Sequence, residues 1–595
     1  MLIKENKYIL KFLELLFLFL FLSLLFNSNT FYNSYQLSKS FSITICSLLI
    51  FILFLMNQIT IKFTLTLFVF LLFIFYINIK NFFLSNSPSV SYSLTLFIIP
   101  FLFFTATIVK INFKKFCYFI CGLVLISMLY GFLQTTLNIQ KPYSFFGNPI
   151  FFGEFIAISF PLIIYLLLFE KNNLLLIFII IGILFTLLLI GSKGVLSSFV
   201  IASLFLLYYI LKQNLIINFK IKNNLFKIFS VLFLFLIFLF FIPNLKKTFI
   251  DNIKSFNPKI LFSSPSIINR ATMWKSAINM IKEKPVFGFG TGAVRYFYQK
   301  YQSEILKKNQ NLTFIKTSYV HNDYLQITAE FGIIGLFLFV LFIISLIYFF
   351  DKNSYLLDIK EYFFSICIIS SLIFILCESF FNFPLFVLPS SAIFFICSGI
   401  LYSIIIKYQI YLKENKFFSN VFLVSILIFI TIIIAYNTKP IISNIYSAKA
   451  LSEGKKNSPM EAYYYQKAIT INKNDYIASF NLGMHYFLKR DYENSIKYFK
   501  YALSIYPYSA DAIYNIATIY KSIDEKKQSE EFFKKTLELY PNNIQANLNL
   551  GKLYLNLGKT EEGLKYISFA KQIAPNYIDT EQLIKVLDFK EVTNQ

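Results

Sequence analysis

Charge is scarce in this 595-residue chain: 14% of its residues are Asp, Glu, Lys or Arg, against about 25% in an ordinary soluble protein. A soluble chain of this length would divide into roughly three or four domains. Here the apolar residues come instead in unbroken blocks, which excludes an ordinary cytosolic enzyme and a disordered tail. Cysteine is equally sparing. The six present (Cys46, Cys117, Cys121, Cys367, Cys377 and Cys397) all lie inside apolar stretches, where a thiol reads as a small hydrophobe. A disulfide scaffold and a thiol-based redox or metal site are excluded with them. There are two histidines, three arginines and one tryptophan.

What is abundant is apolar and aromatic: 57% hydrophobic, 20% aromatic, with 76 Phe and a net charge of +24. About 20 consecutive apolar residues cross the hydrocarbon core. On that measure the chain has about 13 spans, near 8–26, 41–57, 63–78, 91–109, 116–133, 151–169, 173–190, 194–211, 226–242, 332–350, 362–380, 385–406 and 418–436. The first has no small-residue cleavage site and reads as an anchor. Lysines orient the bundle. With the N-terminus inside, the inner segments hold 17 lysines and the short outer loops hold Lys39, Lys80, Lys141 and Lys193, as the positive-inside rule requires. That topology places the N-terminus in the cytoplasm, the long 243–322 loop outside, and everything beyond residue 437 outside the cytoplasmic (inner) membrane.

The segment 441–595 is of another class. Pro507, Pro541 and Pro575 recur every 34 residues, with Gly483, Ala517 and Gly551 in one column and Tyr486, Tyr520 and Tyr554 in another. Ala502, Thr536 and Ala570 form a third, with Ala468 one repeat upstream. This is the pattern of a tetratricopeptide array, in which small residues let two helices approach. Three repeats are expected from 476 to about 579, a degenerate one near 442–475, and a capping helix at 576–592. Such arrays bind a protein or peptide partner in a groove. His485 is expected to be a plain surface or groove residue.

Chemistry is sought in the outer loop. It carries 13 Lys/Arg against Asp251, Glu283 and Glu304. Arg270 and Arg295 are here, in a chain that otherwise prefers lysine by 52 to 3. An arginine kept against that bias suggests a need for the planar fork that grips phosphate or carboxylate. Arg270 opens a helical stretch with Trp274, and Lys284-Pro285-Val286-Phe287-Gly288-Phe289-Gly290-Thr291-Gly292 follows. No strand precedes these glycines, so a dinucleotide loop is rejected in favour of a turn that comes close to a ligand or the membrane face. His321 enters the next span, where an imidazole can meet both aqueous and lipid-borne reactants. Glu154 and Glu378 sit at the outer ends of their helices, beside the same loop. No Asp-x-Asp or His/Asp cluster faces outward, so neither a metal nor a cofactor is expected.

Taken together, Arg270…Trp274…Pro285-x-x-Gly288-x-Gly290, then His321-Asn322-x-x-Leu325…Glu330-x-Gly332-x-x-Gly335, resemble the O-antigen ligase and polymerase superfamily. Gly147-Asn148-Pro149 and Asn382-Phe383-Pro384-Leu385 support the resemblance, which covers roughly 90–405 within a membrane domain of 1–440. It implies an all-α polytopic bundle of the C-type glycosyltransferase kind with a tetratricopeptide α-solenoid appended. It also implies a metal-independent enzyme that moves a glycan from undecaprenyl diphosphate to a glycan, lipid or protein acceptor on the outer face. A ligase-like transferase is the first reading. A polysaccharide polymerase or protein oligosaccharyltransferase is the alternative, and a non-catalytic envelope scaffold is a third. Arg270 would hold the donor pyrophosphate and His321 would assist the acceptor hydroxyl as the catalytic pair. Lys193 stands where the family usually has an arginine, in Gly191-Ser192-Lys193-Gly194. Lys193, Arg295, Asn148, Glu154, Asn322 and Glu378 are the candidate substrate-binding residues. Nothing in the charge distribution calls for nucleic acid.

Overall fold

The computed structural model describes residues 64–83, 102–103, 106–107, 112–137, 141–170, 174–214, 264–309, 312–406, 439–456 and 458–575. All regular structure among them is helical, and they fall into two compact units.

The first unit holds α1 (Leu65–Phe83), α2 (Phe113–Thr136), α3 (Pro149–Phe169), α4 (Leu174–Ile190), α5 (Lys193–Asn214), α8 (Asp323–Asn353), α9 (Ile359–Glu378) and α10 (Leu388–Ile406). Each falls on one of the expected spans. The spans expected at 8–26, 41–57, 226–242 and 418–436 lie outside the described residues, and that at 91–109 largely does. α3 and α10 are apolar all round and buried along nearly their whole length, as expected of helices surrounded by others. α8 and α5 bury one side only. Ile333, Phe337, Val340, Ile344 and Ile347 on α8, and Val200, Leu204, Tyr208 and Leu211 on α5, remain exposed. These stripes at helical spacing are the surface a membrane protein gives to lipid.

The tenth span differs from expectation. Helix α8 begins nine residues before the anticipated 332, because Asn322 caps it by accepting from Leu325 N–H at 3.0 Å. The helix is broken at Gly332 (φ 70°, ψ −175°), a conformation open in practice only to glycine. The break frees the carbonyl of Phe331, and Tyr76 of α1 donates its hydroxyl to it at 2.7 Å. That repair is what a kink in an apolar environment needs.

The second unit joins two pieces of sequence. One is the helical hairpin α6 (Pro265–Glu283) and α7 (Ala293–Lys308) with the segment up to Val320. The turn between the two helices uses Gly288, Gly290 and Gly292, all at positive φ. Glu283 clasps the hairpin, accepting from Tyr301 hydroxyl at 2.6 Å and Lys300 ammonium at 3.0 Å. These donors, Tyr301 first, hold its carboxyl below the usual range, so the clasp is lost as pH falls through that lowered range. The other piece is the repeat array: α11 (439–454), α12 (Met460–Ile471), α13 (Tyr476–Leu488), α14 (Tyr492–Ile505), α15 (Ala510–Ser522), α16 (Lys526–Leu539), α17 (Ile544–Asn556) and α18 (Thr560–Ile573).

The expected columns are physical. A Cβ on Gly483 would meet the Phe499 ring at 2.9 Å, and one on Gly551 would meet Ile567 at 2.6 Å. Phe499, Phe533 and Ile567 are fully buried at 34-residue intervals, each worth about 1.5–3 kcal/mol. A further column caps the first helices: Asp475, Ser509 and Asn543 accept from the N–H of Ala478, Ala512 and Ala546, a role suited to short polar side chains. His485 departs from its expectation as a surface or groove residue. Glu461 reaches its Nδ1 at 2.6 Å, and the ring is buried. The capping helix anticipated at 576–592 lies outside the described residues.

The kink yields the first prediction. Gly332→Ala should destabilise the protein by about 1–3 kcal/mol, and Tyr76→Phe by about 1–2 kcal/mol through the orphaned Phe331 carbonyl. Thermal unfolding in detergent should show both losses. A native-like melting temperature for Gly332→Ala would mean the kink is dispensable.

Candidate functional site

In the first unit, four separated pieces of sequence converge where α9 ends. Residues 321–324 are tied to that end by a series of hydrogen bonds. The Asn322 side chain donates to the Phe380 carbonyl at 3.2 Å, and the Asp323 N–H donates to the Ser379 carbonyl at 2.8 Å. Tyr324 hydroxyl donates to the Leu376 carbonyl at 2.7 Å. The Asp323 carboxylate accepts from Ser379 hydroxyl at 2.8 Å and from Leu385 N–H at 3.0 Å. One side chain thereby joins the start of α8, the end of α9 and the Asn382–Leu385 turn. Asp323 and Ser379 escaped the sequence reading. An acidic residue at a helix start has an ordinary explanation in the helix dipole, and nothing local marks a serine 56 residues away.

His321 stands at the head of this knot with φ 56°, a left-handed backbone rarely adopted outside glycine. Its ring meets the Phe383 ring edge-on, with centroids 4.7 Å apart, and the residue is half-buried. Phe151, near the start of α3, packs on the same Phe383 ring at 5.9 Å. Asn148 caps α3 by accepting from Ile150 N–H at 2.8 Å, with Pro149 at the first helical position. Asn148 and Asn322 therefore both serve as helix caps.

The Ser192–Gly194 stretch arrives from the other side. A Cβ on Gly194 would lie 3.0 Å from Glu378 Oε1 and 3.2 Å from Asn382 Nδ2, so only glycine lets α5 begin this close to α9. Ser198 donates to Glu378 Oε2 at 3.0 Å, and Asn382 donates to Oε1. Lys193 is the first residue of α5 and half-exposed. Glu154, fully buried on α3, accepts from Ser390 of α10. Glu154, Asp323 and Glu378 lie near one another. Glu154 Oε1 and Asp323 Oδ1 are buried without a hydrogen-bond partner among the described residues. Of the residues singled out from sequence, the first unit thus gathers His321, Asn322, Glu154, Glu378 and Lys193 around the end of α9.

Arg270 and Arg295 belong to the second unit. Arg270 lies half-buried on α6, four residues before Trp274 and two turns before the fully buried Ala277 on the same side of the helix. Arg295 lies half-buried on α7, next to Tyr296, whose ring meets Tyr506 of the repeat array. Among the described residues no group of His, Cys, Asp and Glu is arranged to hold a metal ion.

An apolar helical bundle with a convergent polar knot, joined in one chain to a helical repeat array, defines an all-helical membrane protein of two parts. Comparison with known proteins is more specific. Residues 174–340 match the O-antigen ligase family, and residues 477–509, 510–543 and 532–565 match tetratricopeptide repeats. The chain carries an O-antigen ligase domain followed by tetratricopeptide repeats. It is 38% identical over 82 residues to a candidate polysaccharide ligase of Rickettsia conorii, covering 14% of this chain and 20% of that one. It is 34% identical over 87 residues to another from Rickettsia felis, covering 15% and 21%. An uncharacterized Haemophilus influenzae protein is 32% identical over 84 residues, covering 14% and 20%. The chain spans about a fifth of the length of these curated relatives. Among solved structures, MamA aligns at 21% identity with a TM-score of 0.22, covering 24% of this chain and 81% of that one. The repeat protein YrrB aligns at 21% identity and 0.22, covering 25% and 77%.

The knot carries its own prediction. Asp323→Ala leaves the Leu385 N–H without its acceptor and the Ser379 hydroxyl with only the Ile375 carbonyl, and should cost about 1–3 kcal/mol. It should also speed carbethoxylation of His321, read by mass spectrometry against His485 in the same chain. Unchanged modification of His321 would show that Asp323 does not hold it.

Proposed function

We propose that the protein is a ligase-like glycosyltransferase that moves a glycan from a polyprenyl diphosphate, undecaprenyl diphosphate by the resemblance, to an acceptor hydroxyl outside the cytoplasmic membrane. The observation that carries the reading is the O-antigen ligase match over 174–340, which takes in Lys193, Arg270, Arg295 and His321 together. The relatives that bear a polysaccharide-ligase name support it.

The acceptor oxygen attacks the anomeric carbon of the donor sugar, and the bond from that carbon to the diphosphate oxygen breaks. The electron pair leaves on the lipid diphosphate, and the acceptor proton passes to His321. A diphosphate is already a good leaving group, so the chain's task is to meet its growing charge with fixed cations and to supply one base. Arg270 takes the first role with its planar fork. Lys193 adds a point charge where the family usually keeps an arginine. The His321 ring is suited to the base role because Asn322, Asp323 and Tyr324 engage the end of α9 and Phe383 fixes its edge. Orientation of that kind is what general-base catalysis requires. Glu154 and Glu378, both committed to serine hydroxyls, are assigned to shaping the site beside Lys193. In this reading the N-terminus is cytoplasmic and both the 243–322 loop and the array lie outside, with the catalytic core within 1–440.

Transfer from lipid-linked glycan in membranes tests the assignment. His321→Ala should lower the rate by about 10²–10⁴-fold. Arg270→Ala should lose more than Arg270→Lys, and Lys193→Arg should stay active. Full transfer by His321→Ala would sink the reading in favour of a scaffold. In a deletion strain, finished polymer accumulating on the carrier marks a ligase, whereas accumulated single repeat units mark a polymerase.

A further inference from the structure

The second unit shows the outer loop and the repeat array folded together. The contact is made along the turns that link one repeat to the next, on the start of α15, and between α7 and α16. Tyr296 meets Tyr506 edge-on at 5.5 Å, and Phe297 meets Tyr508 at 5.9 Å. Gln299 Oε1 accepts from the Ala510 N–H at 3.2 Å, satisfying a donor that the start of α15 would otherwise leave open. Further along, Asn542 Nδ2 donates to the Leu312 carbonyl at 2.7 Å. Phe314 stacks flat on Tyr540, centroids 3.8 Å apart and planes 13° apart. Lys316 donates to Asp511 Oδ1 at 2.7 Å.

The array residues involved are in register. Tyr506 and Tyr540 are 34 residues apart, as are Tyr508 and Asn542. The loop therefore uses the same two columns in consecutive repeats. Helix α7 takes the first turn, and residues 312–316 take the second, with Lys316 reaching back to Asp511 beside the first. Tyr296, Tyr506, Ala510 and Asn542 are buried. Polar groups paired inside an aromatic contact fix a register that apolar packing alone would not.

We infer that this inter-repeat edge is a docking site for the chain's own segment 293–320, and that the array acts as a clamp positioning the peptide that runs directly into His321. The occupant of this edge is then a loop of the same protein. Tyr540, Asn542 and Tyr506 are positioning residues: they act on transfer only through the segment they hold. The clamp's role in transfer rests on the function proposed above, whereas the docking itself does not.

The test uses the full chain in membranes. Phe314→Cys with Tyr540→Cys should form an intramolecular disulfide on mild oxidation, and Phe314→Cys with Leu488→Cys, a position exposed on the array, should not. Failure of the first pair to link overturns the docking. Tyr540→Ala with Asn542→Ala should raise trypsin cleavage after Lys307, Lys308 or Lys316 by about 10-fold, since cleavage follows local opening. Cleavage within the array should stay at the unsubstituted rate. The same variant should lower transfer at least about 5-fold, as misplaced catalytic groups do, and Tyr540→Phe, which keeps the stacking ring, should restore both readouts. Faster cleavage with transfer unchanged would overturn the clamp. An inactive unsubstituted protein whose cysteine pair still links would fail the proposed function and leave the docking standing.

Discussion

An apolar bundle cannot solvate a carboxylate, so each buried acid must be met by donors from the protein. In the first unit that constraint organises the site. Asp323 collects Ser379 and Leu385, Glu378 collects Ser198 and Asn382, and Glu154 collects Ser390. Every one of these bonds crosses between elements distant in sequence, or closes the turn where α9 ends. The acids thereby act as fasteners that bring α3, α5, α8, α9 and α10 to one place. His321 takes its strained backbone at that place because the three residues after it are committed elsewhere.

The second unit solves a different problem by repetition. Each pair of helices is too small to bury its own apolar face, and stacking at a 34-residue interval makes the core continuous. The consequence is a row of equivalent turns along one edge, each carrying an aromatic or polar residue at the same height. A chain that lies along such a row can use one contact pattern twice. The described residues from α7 to Val320 do so, which explains how residues 312–320, without regular structure, are held by only a few side chains.

The two problems differ in how far the sequence declares its answer. Periodicity is local, so the proline, glycine and tyrosine columns of the array were legible, as were the apolar runs that became α1 to α5 and α8 to α10. His321 stood out too, because histidine is rare here, and it lies beside the polar knot. What escaped was pairing across distance. Asp323 and Ser379 are 56 residues apart, Tyr76 and Phe331 are 255 apart, and neither member of either pair is unusual for its neighbourhood. His485 was misread for the same reason: its partner Glu461 belongs to the preceding helix pair. The start of α8 escaped because a capping asparagine extends a helix into polar residues that hydropathy assigns to a loop.

The arginines show where an argument from scarcity needs geometry to complete it. A chain that uses lysine 52 times and arginine three keeps arginine where a planar, delocalised cation is needed. Phosphate recognition is one such need, and aromatic surroundings are another. Arg270, half-buried on a short amphipathic helix beside the only tryptophan, is compatible with the first. Arg295 is on α7 next to Tyr296, whose ring meets Tyr506 at the array edge. Arg490 takes a left-handed turn after α13. The three arginines thus stand in three different surroundings, so scarcity singles them out without giving them one role.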